Sequence, residues 1–488
     1  MQRKVLSVAT VRLYTLQDHS SPFAGAMCPR QDSPEPEAAV SLPDLCQHVP
    51  RLVQLLSAGS ASVLLATCAQ LREAVCPLVT KITVTELDKS SEVDFSGLLH
   101  SRWSSIQSLT LDNREVSEQS MHQIISPGWP FMTSLAFNHC SFGLQTASFL
   151  AQAQWPLLQT LDLASTSLGF GRLKELVKGK WPDLQVLCLR SCSLKAEAMT
   201  CLSHAEWPDL RHLCLDENDL DLVEQVPDPE YGVAWQHDSG FAAMSELVEC
   251  KWQKLEKLNL DNTNIAAKGC HVLSQAQWPN FRHLTMCNVG SYDLSELSKT
   301  DWPLLSGLDV SQCQGILAES IPDLIAANWP LLAHLDISGC SVGEEALALL
   351  AEANWPHMKS LYIQDNYSNK AWYGTITPDV PRVVKMLTIA DWPLIEDLDI
   401  SGWPLNAEAA ELLISCPWSH LRHLRYSCTY EDDSTFSQMF QSTWPCLGYK
   451  HADKVSEQMA HFVLSSSAVI TPMRHFYSND EWWCIRNQ

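Results

Sequence analysis

The stretch Trp155–Leu163, which reads Trp-Pro-Leu-Leu-Gln-Thr-Leu-Asp-Leu, decides the fold because copies of it recur along most of the chain. The next copies begin at Trp181 and Trp207, so the interval is 26 residues. Further copies begin at Trp129, Trp278, Trp302, Trp329, Trp355, Trp392 and Trp444, with looser ones at Trp103, Trp252 and Trp418. So steady a period is typical of repeat architectures, in which each unit packs against its neighbours.

Within each unit, apolar residues follow the tryptophan at +3, +6, +8 and +13, as Leu158, Leu161, Leu163 and Leu168 do. Position +11 often carries a cysteine or asparagine, namely Cys140, Cys192, Asn218, Cys313, Cys340 and Asn366. This pattern resembles the leucine-rich repeat, and its period with cysteine at +11 resembles the cysteine-containing subclass. The resemblance implies an α/β solenoid over residues 76–488, with a curved parallel sheet inside and helices outside.

The repeat also predicts local roles for its residues. A small polar group at +11 can bond backbone groups where the chain leaves its strand. Glu344–Asn354 has the spacing of a helix, with Ala346 and Leu350 on one face. The proline after each tryptophan ends the helix and is tolerated at the first residue of a strand. We expect the tryptophan ring to fill the core, and an aromatic ladder that binds a ligand is the alternative.

The N-terminal region precedes the repeats. Residues 1–40 begin with basic residues and turn Pro- and Ser-rich, which predicts a disordered tail, or alternatively a transit peptide. Residues 41–75 carry an opening Leu-Pro pair, an apolar cluster and a second apolar set on one helical face.

The segment 41–75 resembles an F-box, a small helical module. The residues that carry the resemblance are Leu42, Pro43, Leu52, Leu55, Leu56, Leu64 and Leu71. The segment departs from the family at Leu71, where a tryptophan is usual. The resemblance implies that these residues dock a Skp-type adaptor of a cullin-type ubiquitin ligase, while the repeats bind the target protein. Alternatively, the helices only cap the open apolar edge of the first repeat.

The composition limits which partners and which cellular compartment we expect. The formal net charge of -23 argues against nucleic acid and favours basic or polar protein partners. The 18 cysteines contain no Cys-x-x-Cys pair, and no secretory signal or membrane-spanning apolar run is evident, so we expect a cytoplasmic or nuclear protein with reduced thiols and no membrane contact. We expect no cofactor, and a monomer outside any complex.

Strand alternation places the residues at +5, +7 and +9 on the concave side. Acids at these positions are Asp112, Asp162, Asp216, Asp261, Asp309, Asp336, Asp397 and Asp399, and histidines are His212, His283, His334, His423 and His475. This face is predicted to bind a basic or polar partner, with an affinity that could rise as the histidines protonate. The alternative is a solvated face copied with the repeat. The spacing does not select a metal site.

Two insertions interrupt the period, near residues 221–240 and 366–379. Their aromatic residues Trp235, Trp372 and Tyr373 are candidate anchors for a partner, or else cover their own loops. No P-loop, zinc quartet or nucleophile elbow occurs, so we expect no enzymatic activity. The leading hypothesis is therefore a substrate receptor of a ubiquitin ligase. The alternative is a scaffold or inhibitor similar to ribonuclease-inhibitor-type repeat proteins.

Overall fold

The computed structural model describes residues 10–15, 79–85, 105–228, 232–238, 240–286, 295–313, 320–340, 342–364, 366, 379–416, 418–428 and 449–452. The chain divides into two compact units. Unit 1 comprises residues 1–264 and 277–280, and unit 2 comprises residues 265–276 and 281–488. Each unit is a stack of short parallel strands and flanking helices, so the predicted α/β leucine-rich repeat solenoid is confirmed.

The described residues of unit 1 form one main sheet and two small ones. The strands are β1 (Thr10–Thr15), β2 (Val79–Thr85), β3 (Ser108–Asp112), β4 (Glu115–Val116), β5 (Ser134–Asn138), β6 (Ser141–Phe142), β7 (Thr160–Asp162), β8 (Val186–Cys188), β9 (His212–Cys214), β10 (Val223–Asp228), β11 (Gly232–His237) and β12 (Lys257–Asn259). The main sheet has the order β1-β2-β3-β5-β7-β8-β9-β12, and β1 is its antiparallel member. Strands β4 and β6 pair in parallel, whereas β10 and β11 form an antiparallel hairpin.

In the described part of unit 2, seven strands pair in parallel in the order of the sequence. They are β13 (His283–Thr285), β14 (Gly307–Asp309), β15 (His334–Asp336), β16 (Ser360–Tyr362), β17 (Asp397–Leu405), β18 (His423–Cys428) and β19 (Tyr449–Ala452). Parallel neighbours require a crossover, and the helices of the repeats supply it.

The helices follow the strands, as the predicted helical half of each unit requires. Those of unit 1 are α1 (Glu118–Ile125), α2 (Leu144–Ala151), α3 (Gly169–Leu176), α4 (Ala196–Leu202) and α5 (Phe241–Val248). Those of unit 2 are α6 (Ala267–Leu273), α7 (Ile321–Ala326), α8 (Gly343–Leu350), α9 (Val380–Ile389) and α10 (Ala407–Ile414). Side chains cap several of them; for example, Asn406 accepts a hydrogen bond from the Ala409 N–H at 3.0 Å. None of the described helices is long and apolar enough to cross a membrane.

The register of the sheets follows the leucine at +6. In unit 1, Leu161 pairs with Leu187 and Leu187 with Leu213. In unit 2, Leu335 pairs with Leu361 and Leu361 with Leu398. These leucines are buried, so a slip by one residue would turn the whole apolar set out of the core.

The repeated tryptophans are core residues, as predicted; Trp155 and Trp181, for example, are fully buried. The prediction that the following proline begins the strand is wrong. The Leu158 N–H donates to the Trp155 carbonyl at 3.1 Å, which closes a turn, and β7 begins only at Thr160. The fixed φ of proline suits the second position of such a turn.

The polar groups at +11 bond backbone groups, as predicted. Asn366 accepts from the Cys340 N–H at 2.9 Å and donates to the Ile337 carbonyl at 2.7 Å. The Cys340 thiol donates to the Val310 carbonyl at 3.1 Å. These buried bonds link each turn to the preceding repeat and satisfy groups that no strand partner reaches.

The N-terminal region departs from one expectation. Within residues 1–40, for which the sequence predicts a disordered tail, Thr10–Thr15 forms β1 and pairs with β2. The alternating residues Val11 and Leu13 suit a strand, and β1 covers an edge of the sheet that would otherwise expose unpaired backbone groups. The F-box-like segment 41–75 lies outside the described residues.

Candidate functional site

The side chains at +5 and +7 lie on the face of each sheet that the helices do not cover. In unit 1 the predicted site residues on this face are Asp162 in β7 and His212 in β9, both half-buried. In unit 2 they are His283, Asp309, His334, Asp336 and Asp399, of which Asp399 is buried. We refer to the +5 and +7 side chains of β13–β18 as the unit 2 sheet face. The two sets belong to separate units.

The carboxylates at +7 have a structural role that the sequence did not reveal. Each accepts a hydrogen bond from the backbone N–H two residues later, and so closes the turn at the end of its strand. The four such bonds are Asp162 to Ala164 at 3.0 Å, Asp309 to Ser311 at 2.9 Å, Asp336 to Ser338 at 2.8 Å and Asp399 to Ser401 at 2.9 Å. Asn259 makes the same bond to the Asp261 N–H at 2.9 Å. The turn therefore needs an amide or carboxylate oxygen but no charge.

A chain of hydrogen bonds crosses the +5 positions of unit 2. His334 Nδ1 lies 3.0 Å from Ser360 Oγ, and Ser360 Oγ donates to Asp397 at 3.1 Å. Asp397 also pairs with His423 Nδ1. The serine thus lies between a histidine and an aspartate. In a catalytic triad the histidine occupies the middle position, so this arrangement does not activate the serine as a nucleophile.

The +7 positions of unit 2 form a second polar row. It runs through Asp309, Asp336, Tyr362, Asp399 and Arg425, which are aligned by strand register. Arg425 lies 3.3 Å from the Asp399 carboxylate. Burial, together with the charge of Asp309, raises the pKa of Asp336, because a second negative charge here is costly. Burial likewise raises the pKa of Tyr362, which keeps its hydroxyl protonated.

Asp216 in unit 1 is not part of an open surface. It is buried at +9, and Arg190 Nε lies 3.2 Å from its carboxylate. Burial raises the pKa of Asp216 to about 7, while the Arg190 guanidinium opposes this rise. Arg190 also pairs with Glu217 at 2.6 Å. The negative charge predicted for this part of the face is therefore largely balanced by Arg190.

Two predicted site histidines resist protonation. Burial lowers the pKa of His212 to about 4, and the nearby Lys257 acts in the same direction. Burial also lowers the pKa of His334. Both rings stay neutral around pH 7. The suggestion that protonation of the face strengthens binding is therefore not supported at these two positions.

The first insertion forms the hairpin of β10 and β11, which ends close to α5. Trp235 lies in β11 opposite Gln225. Asp238 holds the base of the hairpin, since its carboxylate accepts from the N–H groups of Leu222 and Ala242, each at 2.9 Å. In the second insertion, Trp372 and Tyr373 lie outside the described residues, as do the adaptor-binding candidates Leu42, Pro43, Leu52, Leu55, Leu56, Leu64 and Leu71.

Sequence reasoning missed three residues of the unit 2 sheet face, namely Ser360, Tyr362 and Arg425. They occupy the same +5 and +7 positions, but the prediction selected only acids and histidines. The register alone would have identified them. Within the described part of the chain, no group of three or more His, Cys, Asp or Glu side chains is arranged to hold a metal ion.

No protein-family model matches the sequence, and the comparison with curated proteins gave no match. The solved complex of Rad7 and Elc1 from yeast aligns with 86% of this chain and 92% of that chain, at 12% identity and a TM-score of 0.48. An internalin (inlF) from Listeria monocytogenes aligns with 85% of this chain and 95% of that chain, at 13% identity and a TM-score of 0.34. At these values neither alignment carries an argument about function.

Proposed function

We propose that this chain is a non-enzymatic protein-binding repeat protein whose unit 2 sheet face holds a partner with basic or polar groups. The observation that carries the proposal is the set of polar side chains at the +5 and +7 positions of six neighbouring strands in one register, interrupted at +5 of β14 by Gly307. A protein surface of this kind is rigid, because every strand is fixed by its neighbours. Rigid surfaces lose little entropy when they bind.

The composition of the second polar row supports a protein partner. Tyr362 and Arg425 belong to the residue types that contribute most to binding at protein interfaces. They alternate with the carboxylates Asp336 and Asp399 across neighbouring strands. A lysine or arginine of the partner can pair with Asp309, which is half-buried in this row, while Tyr362 supplies apolar contact area.

The charge of the face can be tested without disturbing its turns. Because Asn259 already closes the same turn, replacement of Asp309, Asp336 and Asp399 by asparagine should keep the turns. Loss of the Asp399–Arg425 ion pair should lower the free energy of unfolding by at most about 1 kcal/mol. We expect the triple variant to recover partners about tenfold less than the wild type in affinity purification with quantitative mass spectrometry. Asp162→Asn is the matched control, because it removes a +7 charge from unit 1. Undiminished recovery by the triple variant would contradict the proposal.

We further propose that residues 41–75 dock a Skp-type adaptor and that the repeats hold a target for ubiquitin transfer. This step rests on the F-box resemblance of the sequence. Replacement of Leu55 and Leu64 by aspartate should abolish co-purification of the adaptor, because a charge in an apolar interface is costly. Recovery of the target through unit 2 should persist. If the intact wild type recovers no adaptor, these helices serve only as a cap, and the chain is a scaffold or inhibitor.

The aromatic residues of the insertions are a second candidate for target contact. Trp235 lies on a hairpin that is held at its base by Asp238, so it has a defined position relative to α5. Trp372 and Tyr373 are proposed from the sequence alone. Both insertions follow a strand and precede a helix, which places them at the corresponding edge of their repeats.

A further inference from the structure

A groove of about 480 Å³ lies on the helix side of unit 1, between α3 and α4. Its apolar part is formed by Phe170, Val177 and Cys201, and its lysines are Lys174, Lys178 and Lys180. The groove is separate from the sheet face, because its lining comes from the two helices and the loops that follow them. Neither the repeat pattern nor the proposed function assigns it a role.

The groove is basic in a strongly acidic chain. Its lining carries three lysines and one acid, Glu206, whereas the whole chain has a net charge of -23. Lys178 pairs with Glu175 at 2.6 Å. Lys174 and Lys180 make no salt bridge to any residue that the structure describes. Two lysine charges are therefore available to an acidic ligand.

Lys174 and Cys201 both line the groove. Burial raises the pKa of the Cys201 thiol, and the Lys174 ammonium opposes this rise. Lys174 stands four residues after Phe170 and four before Lys178. This spacing places the three side chains along one side of α3 and the turn that follows it. This row spans roughly 12 Å, the length of about two helical turns.

Phe170 is the apolar anchor of the groove. Its side chain is 47% exposed, although it lies in the first turn of a helix whose Leu173 and Leu176 are buried. Ligand grooves are commonly lined by apolar and aromatic side chains beside a few polar groups. Burial of Phe170 against a ligand would contribute favourably to binding, because its ring would leave water.

We propose that the groove between α3 and α4 binds an acidic amphipathic helix of a protein partner. The apolar face of that helix contacts Phe170, Val177 and Cys201. Its carboxylates pair with Lys174 and Lys180. This is the helix-in-groove mode of recognition, in which apolar anchors supply contact area and charges set the orientation. A ligand with carboxylates alone, or with apolar groups alone, uses only half of this surface.

The probe is a fluorescein-labelled peptide of about 14 residues, with leucines along one helical face and glutamates elsewhere, roughly 21 Å long as a helix. Binding to the full chain is followed by fluorescence anisotropy, with an expected dissociation constant on the order of 10 µM that weakens as salt is added. Peptides with every glutamate replaced by glutamine, or every leucine by serine, should bind about tenfold more weakly. Unlabelled polyglutamate should not displace the probe at equal carboxylate concentration.

The variants localise the site. Lys174→Glu combined with Lys180→Glu should weaken binding about tenfold or more, and so should Phe170→Ser. The matched controls are Lys251→Glu combined with Lys268→Glu, both exposed lysines outside the groove, and Phe241→Ser, whose ring is 50% exposed at the start of α5. All variants are checked for an unchanged melting temperature.

Four results would overturn the proposal. They are no anisotropy change up to about 1 mM protein, equal loss in the control variants, equal binding of the glutamine peptide, and full displacement by polyglutamate. The triple asparagine variant of the unit 2 sheet face should bind the probe like the wild type. Failure of one site is thereby distinguishable from failure of the other.

Discussion

Replacement of Trp207 by alanine is expected to lower the free energy of unfolding by about 3–5 kcal/mol. The ring is 1% exposed and stacks on Trp181, with centroids 6.1 Å apart and planes inclined by 17°. Its Nε1 donates to the Gly179 carbonyl at 3.1 Å. The variant leaves a large cavity between two repeats and removes that hydrogen bond. Equilibrium unfolding in urea measures the change.

The control for this prediction is Phe131→Ala, because the Phe131 ring is 53% exposed and its loss should change the free energy of unfolding by less than about 0.5 kcal/mol. Trp207→Phe should fall between the two, since phenylalanine keeps apolar contact but cannot donate to Gly179. Loss of stability in a repeat protein is transmitted to neighbouring units, so the unfolding curve should also broaden. A cost below about 1 kcal/mol for Trp207→Ala would contradict its place in the core.

Replacement of Asn218 by alanine is expected to cost about 3–5 kcal/mol although it removes few atoms. The side chain is 1% exposed and accepts from the N–H groups of Cys192 and Leu194, each at 3.0 Å. It donates to the carbonyls of Leu189 at 2.8 Å and Leu215 at 2.7 Å. Alanine would leave these buried backbone groups without partners, and each such group costs about 1–3 kcal/mol before the chain relaxes.

Asn218→Cys separates the two halves of this network. A thiol can donate to a carbonyl, as Cys192 does to Leu163 at 3.0 Å, but it replaces the amide oxygen poorly as an acceptor. We expect a cost between those of the wild type and the alanine variant. Asn280→Ala is the control, because Asn280 is exposed and donates only to the Gln253 carbonyl at 2.9 Å. Equal costs at both asparagines would show that the +11 network does not stabilise the fold.

Much of the fold could be predicted from spacing. The period of 26 residues identifies the repeat, and the positions +6 and +8 identify its core. The role of Asn218 followed from its +11 position, and the buried state of Trp155 followed from its leucine neighbours. These features repeat, so each copy confirms the others. Features that occur once, such as β1, gave no such signal.

The candidate site was predicted only in outline. Asp309 and Asp336 were predicted from their +7 positions, yet their turn-closing hydrogen bonds depend on side-chain conformations that the sequence does not specify. Asp216 was expected on an open surface, but it is buried beside Arg190. The lowered pKa of His212 likewise arises from burial, which depends on neighbouring strands. The separation of residues along the sequence does not indicate which groups surround them in the fold.

The sequence by itself determined the repeat, the strand register and the identity of the side chains on each face. In a solenoid, equivalent positions of successive repeats occupy equivalent places in the stack. Only the tertiary structure decided which of those side chains meet. The hydrogen bonds from His334 through Ser360 to Asp397 connect repeats that an insertion separates in the sequence. The groove at Phe170 and Lys174 is lined by residues of two helices. Contacts between repeats depend on packing, burial and the field of neighbouring charges, and no single repeat encodes them.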